Sequence, residues 1–159
     1  DFLGRDRIVT QQLERIGANV LRNRNVAIER GGQRIWVAGV DDLRSRTAHL
    51  GQALAAIPAD EVKILLAHNP DFAARAARIE PGIDLMLAAH THGGQVKLPI
   101  FGPPALPHNH KEWLAGLYRV NGMWLYINRG IGMSSIAHRL NARPEVSVLI
   151  LRSGMRHEA

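Results

Sequence analysis

Two stretches, Val62-Lys-Ile-Leu-Leu-Ala-His-Asn-Pro-Asp71 and Asp84-Leu-Met-Leu-Ala-Ala-His-Thr-His-Gly-Gly94, indicate how this chain folds. Each begins with a short apolar run, broken only by Lys63 in the first, which is typical of a strand buried on both faces of a parallel sheet. Between them, residues 69–79 predict a helix, because Asn suits an N-cap and Pro the first helical position. Strand, helix and strand in this order predict a right-handed βαβ unit.

The neighbouring segments extend this pattern in both directions. Residues 26–29 and 34–40 predict a hairpin around Gly31-Gly32, residues 43–57 predict a helix that Pro58 ends, and residues 5–17 predict a first helix. Towards the carboxyl terminus, residues 114–120 and 123–128 flank the turn signal Asn121-Gly122, and residues 145–151 predict a last strand. The chain is therefore expected to be an α/β protein with a mixed sheet or two sheets.

Composition limits the possible classes of protein. The chain has 159 residues, 46% of them hydrophobic and 21% charged, which fits one packed domain. It contains no cysteine, so any metal must bind to histidine and oxygen ligands. The formal net charge of +6 favours anionic partners, but the arginines are scattered, and no specific nucleic acid is expected.

Polar residues follow each predicted strand of the parallel part. Asp41-Asp42 follow the first, His68-Asn69 the second and His90-Thr91-His92 the third. Ligands bind at the carboxyl ends of parallel strands, so these groups are expected to share one edge of the sheet. Neutral imidazole and carboxylate are ligands for zinc, manganese or iron. The sequence therefore predicts a metal site with His68, His90 and His92 as ligands.

The spacing of His90 and His92 sharpens this prediction. In an extended backbone both rings would leave the same side of the strand, with Cα atoms roughly 6.6 Å apart, so they could reach one metal or two adjacent metals. Gly93 and Gly94 then add no side chain that would shield the metals, and their amides could approach a bound oxyanion. We therefore expect both glycines to contact substrate.

The motifs resemble the calcineurin-like metallophosphoesterase family, especially its bacterial branch with His-Thr-His-Gly-Gly-Gln. Leu66-Ala-His-Asn-Pro-Asp71 and Ala89-His-Thr-His-Gly-Gly-Gln95 look like the last two blocks of that family, although Ala89 stands where Gly is usual. Further segments follow in the same order, namely residues 19–23, 37–42, 116–118, 128–132 and 139–145. The resemblance implies a four-layered α/β/β/α sandwich around two divalent metal ions.

The same resemblance implies roles for particular residues. His68 and His90 would bind one metal and His92 the other. The catalytic His and the bridging carboxylate of the family would lie upstream of Asp1, so the catalytic residue is unknown here. Residues 1–159 are accordingly interpreted as the carboxyl-terminal half of such an enzyme, a single incomplete domain. Relatives in this branch are often exported or membrane-associated.

Several other polar residues are open to more than one interpretation. Asp41 and Asp42 could be carboxylates of the site, but Asp before a helix favours an N-cap. His108 and His110 could bind metal, whereas their setting in a long proline-rich loop favours solvent exposure or contact with substrate. Arg129 could bind phosphate together with Gly130 and Gly132, or the glycines could serve only a turn. Arg139 and Glu145 are expected to form a structural pair.

These features lead to two hypotheses for function. The first is metal-dependent hydrolysis of phosphoric esters, either phosphodiester or phosphomonoester, with the isolated chain inactive because it lacks part of the site. The second is a non-catalytic α/β module that binds a lipid headgroup or nucleic acid. Association with a membrane surface and self-association of the chain through an exposed strand edge are also expected to be possible.

Overall fold

The computed structural model describes residues 6–80, 82–104, 106, 108–134 and 137–152. These residues form a mixed six-stranded sheet in the order β1-β2-β3-β4-β6-β5. The strands are β1 (Arg24–Arg30), β2 (Gln33–Gly39), β3 (Val62–Leu66), β4 (Leu85–Ala88), β5 (Gly116–Val120) and β6 (Met123–Ile127). The predicted α/β class is therefore confirmed. The second sheet of a four-layered sandwich stays a prediction.

The centre of the sheet is parallel and its two edges are antiparallel. β2, β3, β4 and β6 run in one direction, with Ala38 beside Leu65 and Leu65 beside Met86. β1 and β5 close the edges as the outer strands of two hairpins. Both hairpins turn at the glycine positions that the sequence predicted, where φ is +57° at Gly31 and +85° at Gly122. The parallel strands are therefore flanked by hairpin strands, and β1 and β5 form the two edges of the described sheet.

Three helices accompany the sheet, namely α1 (Asp6–Arg15), α2 (Leu50–Ala53) and α3 (Ala73–Ala76), with 3-10 turns at Leu43–Ser45, Pro70–Phe72 and His92–Gly94. Of these, α2 and α3 pack on one face of the sheet, whereas the described side chains of α1 are mostly exposed. Residues of α2 and α3 join the sheet side chains Leu65 and Met86 in one buried cluster. No helix in the described part of the chain is long and apolar enough to span a membrane.

The opposite face of the sheet is apolar but only partly covered. By strand register, Ile28, Leu66, Leu117 and Trp124 lie on this face, and they are 37–59% exposed. We call these four residues the open face. A face of this kind on a soluble protein normally marks a contact with another element or chain.

The helix predicted over residues 43–57 is wrong in length. Left-handed residues at Arg46 (φ +60°) and Ala56 (φ +62°) interrupt the backbone around α2. The side chain of Asn23 donates to the carbonyl of Thr47 at 2.8 Å, and the hydroxyl of Thr47 donates to Asp41 at 3.0 Å. Such side-chain bonds compete with helical hydrogen bonds, so the segment divides into two short turns.

The helix predicted over residues 69–79 begins correctly and ends early. Asn69 caps it, since its side-chain oxygen accepts from the N–H of Asp71 at 2.9 Å, and Pro70 occupies the first turn. The regular helix is α3, which ends at Ala76, after which only turn-type hydrogen bonds continue to Ile79. The predicted helix over residues 5–17 is confirmed as α1, although residue 5 lies outside the described part.

The strand predicted over residues 145–151 is also wrong. Residues 142–152 have no regular secondary structure, and Val146 and Val148 are 84% and 85% exposed. A strand requires a neighbour that accepts its backbone hydrogen bonds, and no described segment pairs with this one beyond the bond from Glu145 N to Gly130 O.

Candidate metal centre

The carboxyl ends of the parallel strands gather the predicted site residues. His68 follows β3, while His90 and His92 follow β4. Because β6 pairs in parallel with β4, Arg129 reaches the same edge, as its predicted contact with phosphate requires. Gly116, at the start of the antiparallel β5, also lies there.

His68 and His90 form the centre of this site. Nδ1 of His90 lies 3.1 Å from Nε2 of His68, so one nitrogen donates a hydrogen bond to the other. The rings meet edge to face with centroids 4.9 Å apart. His90 is only 7% exposed. Burial, reinforced by the charge of His90, lowers the pKa of His68 to about 4, so its imidazole is neutral at pH 7.

This pair fits a divalent metal. Two imidazole ligands of one zinc ion, at about 2.0–2.1 Å each and an angle of about 90–110°, have nitrogens about 2.8–3.4 Å apart. The observed separation of 3.1 Å falls within that range. Neutral imidazoles are also the protonation state that binds metal. His68 and His90 therefore have the spacing and the chemistry of two ligands to one ion.

The backbone around His90 and His92 is not extended as predicted. β4 ends at Ala88, and both histidines have left-handed φ values, +67° and +51°. The N–H of Thr91 donates to the carbonyl of Ala89 at 2.7 Å, which starts a tight turn directly after the strand. Left-handed backbone is costly outside glycine and often occurs at functional sites, where surrounding contacts maintain it.

His92 is oriented by Gln95, a residue to which the sequence assigned no role. Nδ1 of His92 lies 2.7 Å from Oε1 of Gln95, and the same oxygen accepts from the N–H of Ser134 at 3.0 Å. The Ser134 contact identifies the oxygen of the amide, so Nδ1 of His92 carries a proton and Nε2 keeps its lone pair. This arrangement suits Nε2 as a metal ligand.

Gly93 and Gly94 continue the turn with their amides already occupied. The N–H of Gly93 donates to the hydroxyl of Thr91 at 3.1 Å, and that of Gly94 donates to the Thr91 carbonyl at 2.8 Å. A Cβ at position 93 would lie 2.7 Å from Cγ of Arg129. Gly93 therefore allows Arg129 to pack against the turn, and the contact of both glycines with substrate stays a prediction.

Arg129 borders a polar cavity of about 590 Å³ beside the turn. Its Nε donates to Oε2 of Glu145 at 2.5 Å, and Oε1 of Glu145 accepts from the hydroxyl of Tyr126 at 2.6 Å. Hydrogen bonds from Tyr126 and Ser147, together with the guanidinium of Arg129, keep the pKa of Glu145 below its usual value. The side chain of Arg129 is 41% exposed.

The predicted pair of Arg139 and Glu145 is wrong. Glu145 binds Arg129 instead, and Arg139 binds backbone carbonyls from separate loops. Its Nη1 donates to His92 O at 3.2 Å, and its Nη2 donates to Arg129 O at 2.9 Å. Arg139 therefore connects the turn after β4 to the loop after β6.

The two aspartates after β2 have structural partners. Asp42 caps the following turn by accepting from the N–H of Arg44 at 2.8 Å, as predicted. Asp41 is not a cap. Its carboxylate accepts from Nε of Arg22 at 2.8 Å and from Thr47, and these contacts hold the pKa of Asp41 below its usual value.

The long loop after the histidine turn is tied across the same edge. Asp71 accepts from the N–H groups of Asn109 at 2.8 Å and His110 at 3.1 Å. At the far end of this segment, the hydroxyl of Thr91 donates to the carbonyl of Leu114 at 2.5 Å. His110 stacks on Trp113, whereas His108 is 7% exposed, so solvent exposure of His108 is excluded.

The donor set at this edge is small. In the described part of the chain, no group of three His, Asp or Glu side chains converges closely enough to hold a metal ion by itself. His68 and His90 are paired, and His92 is directed by Gln95. A complete metal site at this edge would thus need further ligands.

Curated proteins resemble this chain over most of its length. The uncharacterized metallophosphoesterase YkuE of Bacillus subtilis is 35% identical over 77% of this chain and 42% of its own length. Phosphodiesterase YaeI of Escherichia coli is 37% identical over 92% of the chain and 52% of its own length. A transmembrane protein with metallophosphoesterase domain from Bos taurus is 35% identical over 84% of the chain and 32% of its own length.

Two further comparisons give no match, since neither a family model nor a solved structure resembles the chain significantly. The chain spans about half the length of the bacterial relatives named above. Its identity to several metallophosphoesterases agrees with the histidine motifs and with their position at the carboxyl ends of parallel strands. The chain belongs to the calcineurin-like metallophosphoesterase family.

Proposed function

We propose that the whole protein hydrolyses phosphoric esters, either phosphodiesters or phosphomonoesters, with divalent metals bound at the edge that carries His68, His90 and His92. The observation that supports this most directly is the His68–His90 pair, whose nitrogens are 3.1 Å apart at the ends of two adjacent parallel strands. Relatives named metallophosphoesterase and phosphodiesterase support the same reaction class.

His68 and His90 would hold one metal, manganese, zinc or iron, and His92 would hold a second through Nε2. Divalent metals at such a site orient a phosphate, lower the pKa of a bound water and stabilise charge in the transition state. The residues of this chain contribute two closely spaced imidazoles, of which that of His68 is neutral at pH 7, and a fixed orientation for His92. Arg129, whose Nε donates to Glu145, would bind a phosphate oxygen through another N–H of its guanidinium.

The cavity beside Arg129 has room for the group attached to phosphate. It lies between the histidine turn and β5, and Lys97, Tyr126, Asn141 and Ser147 contribute to its wall. This polar lining suits a hydrophilic substituent. Gly93 and Gly94 are proposed to border the phosphate at the entrance of the cavity.

Metal analysis and hydrolysis of an aryl phosphodiester by the whole protein test this function. A double substitution of His90→Ala and His92→Ala should remove bound metal and turnover together. The rival hypothesis is a non-catalytic module that binds anions. It expects anion binding to be unchanged by that substitution. Hydrolysis that proceeds without metal, or no hydrolysis at all, would contradict the enzyme.

The 159-residue chain alone is expected to bind metal weakly and to be catalytically silent. Its described residues bring only two imidazoles together, whereas a metal site generally takes four or more ligands. Isothermal titration calorimetry with manganese or zinc would measure this. Tight binding of two metals with turnover by the isolated chain would contradict the interpretation of residues 1–159 as part of a larger domain.

We also propose that the whole protein associates with a membrane surface through the basic charge of residues 1–159, which is +6. The name of the Bos taurus relative describes that protein as transmembrane. Flotation with vesicles of acidic and of neutral lipid would test it. Equal binding to acidic and to neutral vesicles would refute an electrostatic attachment.

A further inference from the structure

Lys97 follows the histidine turn and contributes to the wall of the cavity beside Arg129. Its backbone is fixed on both sides, since its N–H donates to the carbonyl of Leu140 at 2.9 Å and its carbonyl accepts from the side-chain amide of Asn141 at 2.9 Å. A Cβ at Gly94 would lie 3.2 Å from Cγ of Lys97, so the aliphatic part of the lysine passes close to the turn. Lys97 therefore has a defined place in the cavity wall.

The charges on this wall do not cancel. Glu145 is the only carboxylate among the described residues of the wall, and Nε of Arg129 donates to its Oε2 at 2.5 Å. Its Oε1 is occupied as well, because it accepts from the hydroxyls of Tyr126 at 2.6 Å and Ser147 at 2.8 Å. In the described part of the chain, no carboxylate forms an ion pair with Lys97. The wall thus has one positive charge that its own residues leave unpaired.

The cavity starts at the edge of the sheet where metal and phosphate are proposed to bind. Gly93, which directly follows His92, and Arg129 both belong to its wall. Its volume of about 590 Å³ lies within the range of about 300–1,000 Å³ that is usual for ligand pockets. This space exceeds what a single phosphate group needs. A phosphoester bound at Arg129 would therefore have the group attached to its phosphate in the cavity that Lys97 lines.

A lysine that lies on an open surface needs no partner, because water solvates its ammonium group. Lys111 is of this kind, since it is exposed and does not line the cavity. Lys97 is only partly exposed, and it lies in a concave wall. Charges interact more strongly in a cleft than on an open surface, because less water screens them. An anionic group in the cavity would consequently be attracted to Lys97.

We propose that Lys97 determines substrate specificity by binding a second anionic group, a carboxylate or another phosphate, on the substituent of the phosphoester. This inference rests on the proposed phosphoesterase function. Arg129 would bind the phosphate that is hydrolysed, and Lys97 would bind the further anionic group in the same cavity. An ammonium group donates three hydrogen bonds without a fixed plane, so it can bind either kind of oxyanion.

The first experiment measures binding and needs no turnover. Three alkylphosphonates are used that differ only at the far end of a butyl chain, which carries a carboxylate, a second phosphonate or a neutral amide. Isothermal titration calorimetry measures the Kd of each for the whole protein loaded with zinc. We expect at least one anionic end to improve affinity about fivefold or more over the amide, as an ion pair in a partly buried site would. The carboxylate and the second phosphonate distinguish the two candidate groups.

Variants of the lysine assign this preference to its charge. Lys97→Met keeps the aliphatic part of the side chain and should remove the preference for the anionic end, whereas Lys97→Arg keeps the charge and should retain it. Lys111→Met is the matched control, because it removes one positive charge outside the cavity, and it should retain the preference within about twofold. Equal affinity for all three ligands, or a preference that persists in Lys97→Met, overturns the proposal. If none of the three ligands binds, the proposed phosphate site is itself refuted.

Kinetics provide the second experiment. Two aryl phosphodiesters are compared whose second ester group ends in the preferred anionic group or in the amide. The unsubstituted protein should have the higher kcat/KM for the anionic diester, mainly through a lower KM, and Lys97→Met should reduce this ratio about fivefold. Equal kcat/KM for both diesters in the unsubstituted protein overturns the proposal. Absence of turnover together with a preserved preference in binding would refute the hydrolytic function and still support the role of Lys97.

Discussion

Gly93 lies against the aliphatic part of the Arg129 side chain, so closely that a Cβ at position 93 would be 2.7 Å from Cγ and 2.8 Å from Cδ. The glycine also has a φ of +63°, a region that side chains rarely adopt. The turn after β4 and the loop after β6 therefore pack closely against each other at Gly93, where a side chain would not fit.

Gly93→Ala should destabilise the protein more than a glycine substitution with backbone cost alone. The left-handed backbone costs roughly 1–2 kcal/mol for alanine. Displacement of Arg129 should add about 1–3 kcal/mol. Gly31→Ala is the control, because its φ is +57° and nothing lies within 4 Å of an added Cβ. Chemical denaturation measures the free energy of unfolding of both variants. Equal decreases would show that Arg129 moves away from the added methyl group at no cost in stability.

Gln95→Leu should weaken metal binding by about 10–100-fold, the usual effect of losing a residue that orients a ligand. The substitution leaves Nδ1 of His92 and the N–H of Ser134 without their acceptor. Gln95→Glu keeps an acceptor at the same place and should retain most of the affinity. Calorimetry with zinc compares the two variants, and a Leu variant that binds as tightly as the parent would refute the orienting role.

Arg139→Lys should destabilise the protein by about 1–3 kcal/mol, although charge is unchanged. A lysine has no planar fork and cannot reproduce the simultaneous bonds to the carbonyls of His92, Arg129 and Gly132. Arg143→Lys, at an exposed position nearby, serves as the control. Melting by circular dichroism would reveal the difference, and indistinguishable variants would mean that solvent replaces these bonds at little cost.

Acid should destabilise the metal-free protein through His68. Burial lowers the pKa of His68 from 6.5 to about 4 in the folded state. Between these values the unfolded chain binds a proton that the folded chain rejects, so the free energy of unfolding falls as pH decreases from about 6.5 towards 4. In His68→Gln, the free energy of unfolding should depend less on pH between these values. Urea denaturation at several pH values measures this dependence for both proteins. The same dependence in both would show that His68 does not cause the loss of stability in acid.

The open face should promote self-association of the isolated chain. Leu117 is 59% exposed on the edge strand β5 and belongs to that face, so Leu117→Lys should lower the association measured by light scattering. Ile100 is fully exposed in the loop, and Ile100→Lys is the control for added charge. If both variants reduce self-association equally, the added charge is the cause and the open face is not the contact surface.

Local patterns were sufficient to predict much of the architecture. The apolar runs ending in His68 and His90 predicted adjacent parallel strands, and Asn121-Gly122 predicted the hairpin of β5 and β6. Both signals act over a few residues, through burial and through backbone angles that glycine and asparagine allow. The family motifs are equally local, and for this reason they identified the candidate ligands before any fold was known.

Contacts between distant segments could not be predicted in this way. The parallel pairing of β6 with β4 brings Arg129 to the histidines, and the bond from Glu145 to Arg129 excludes the expected pair with Arg139. Likewise, a histidine in a proline-rich loop has no local sign of burial, yet His108 is buried in a loop whose next two residues donate to Asp71, 37 positions before His108. Which partner a polar group finds depends on the free energy of competing contacts in the packed chain, and these exist only after distant strands have come together.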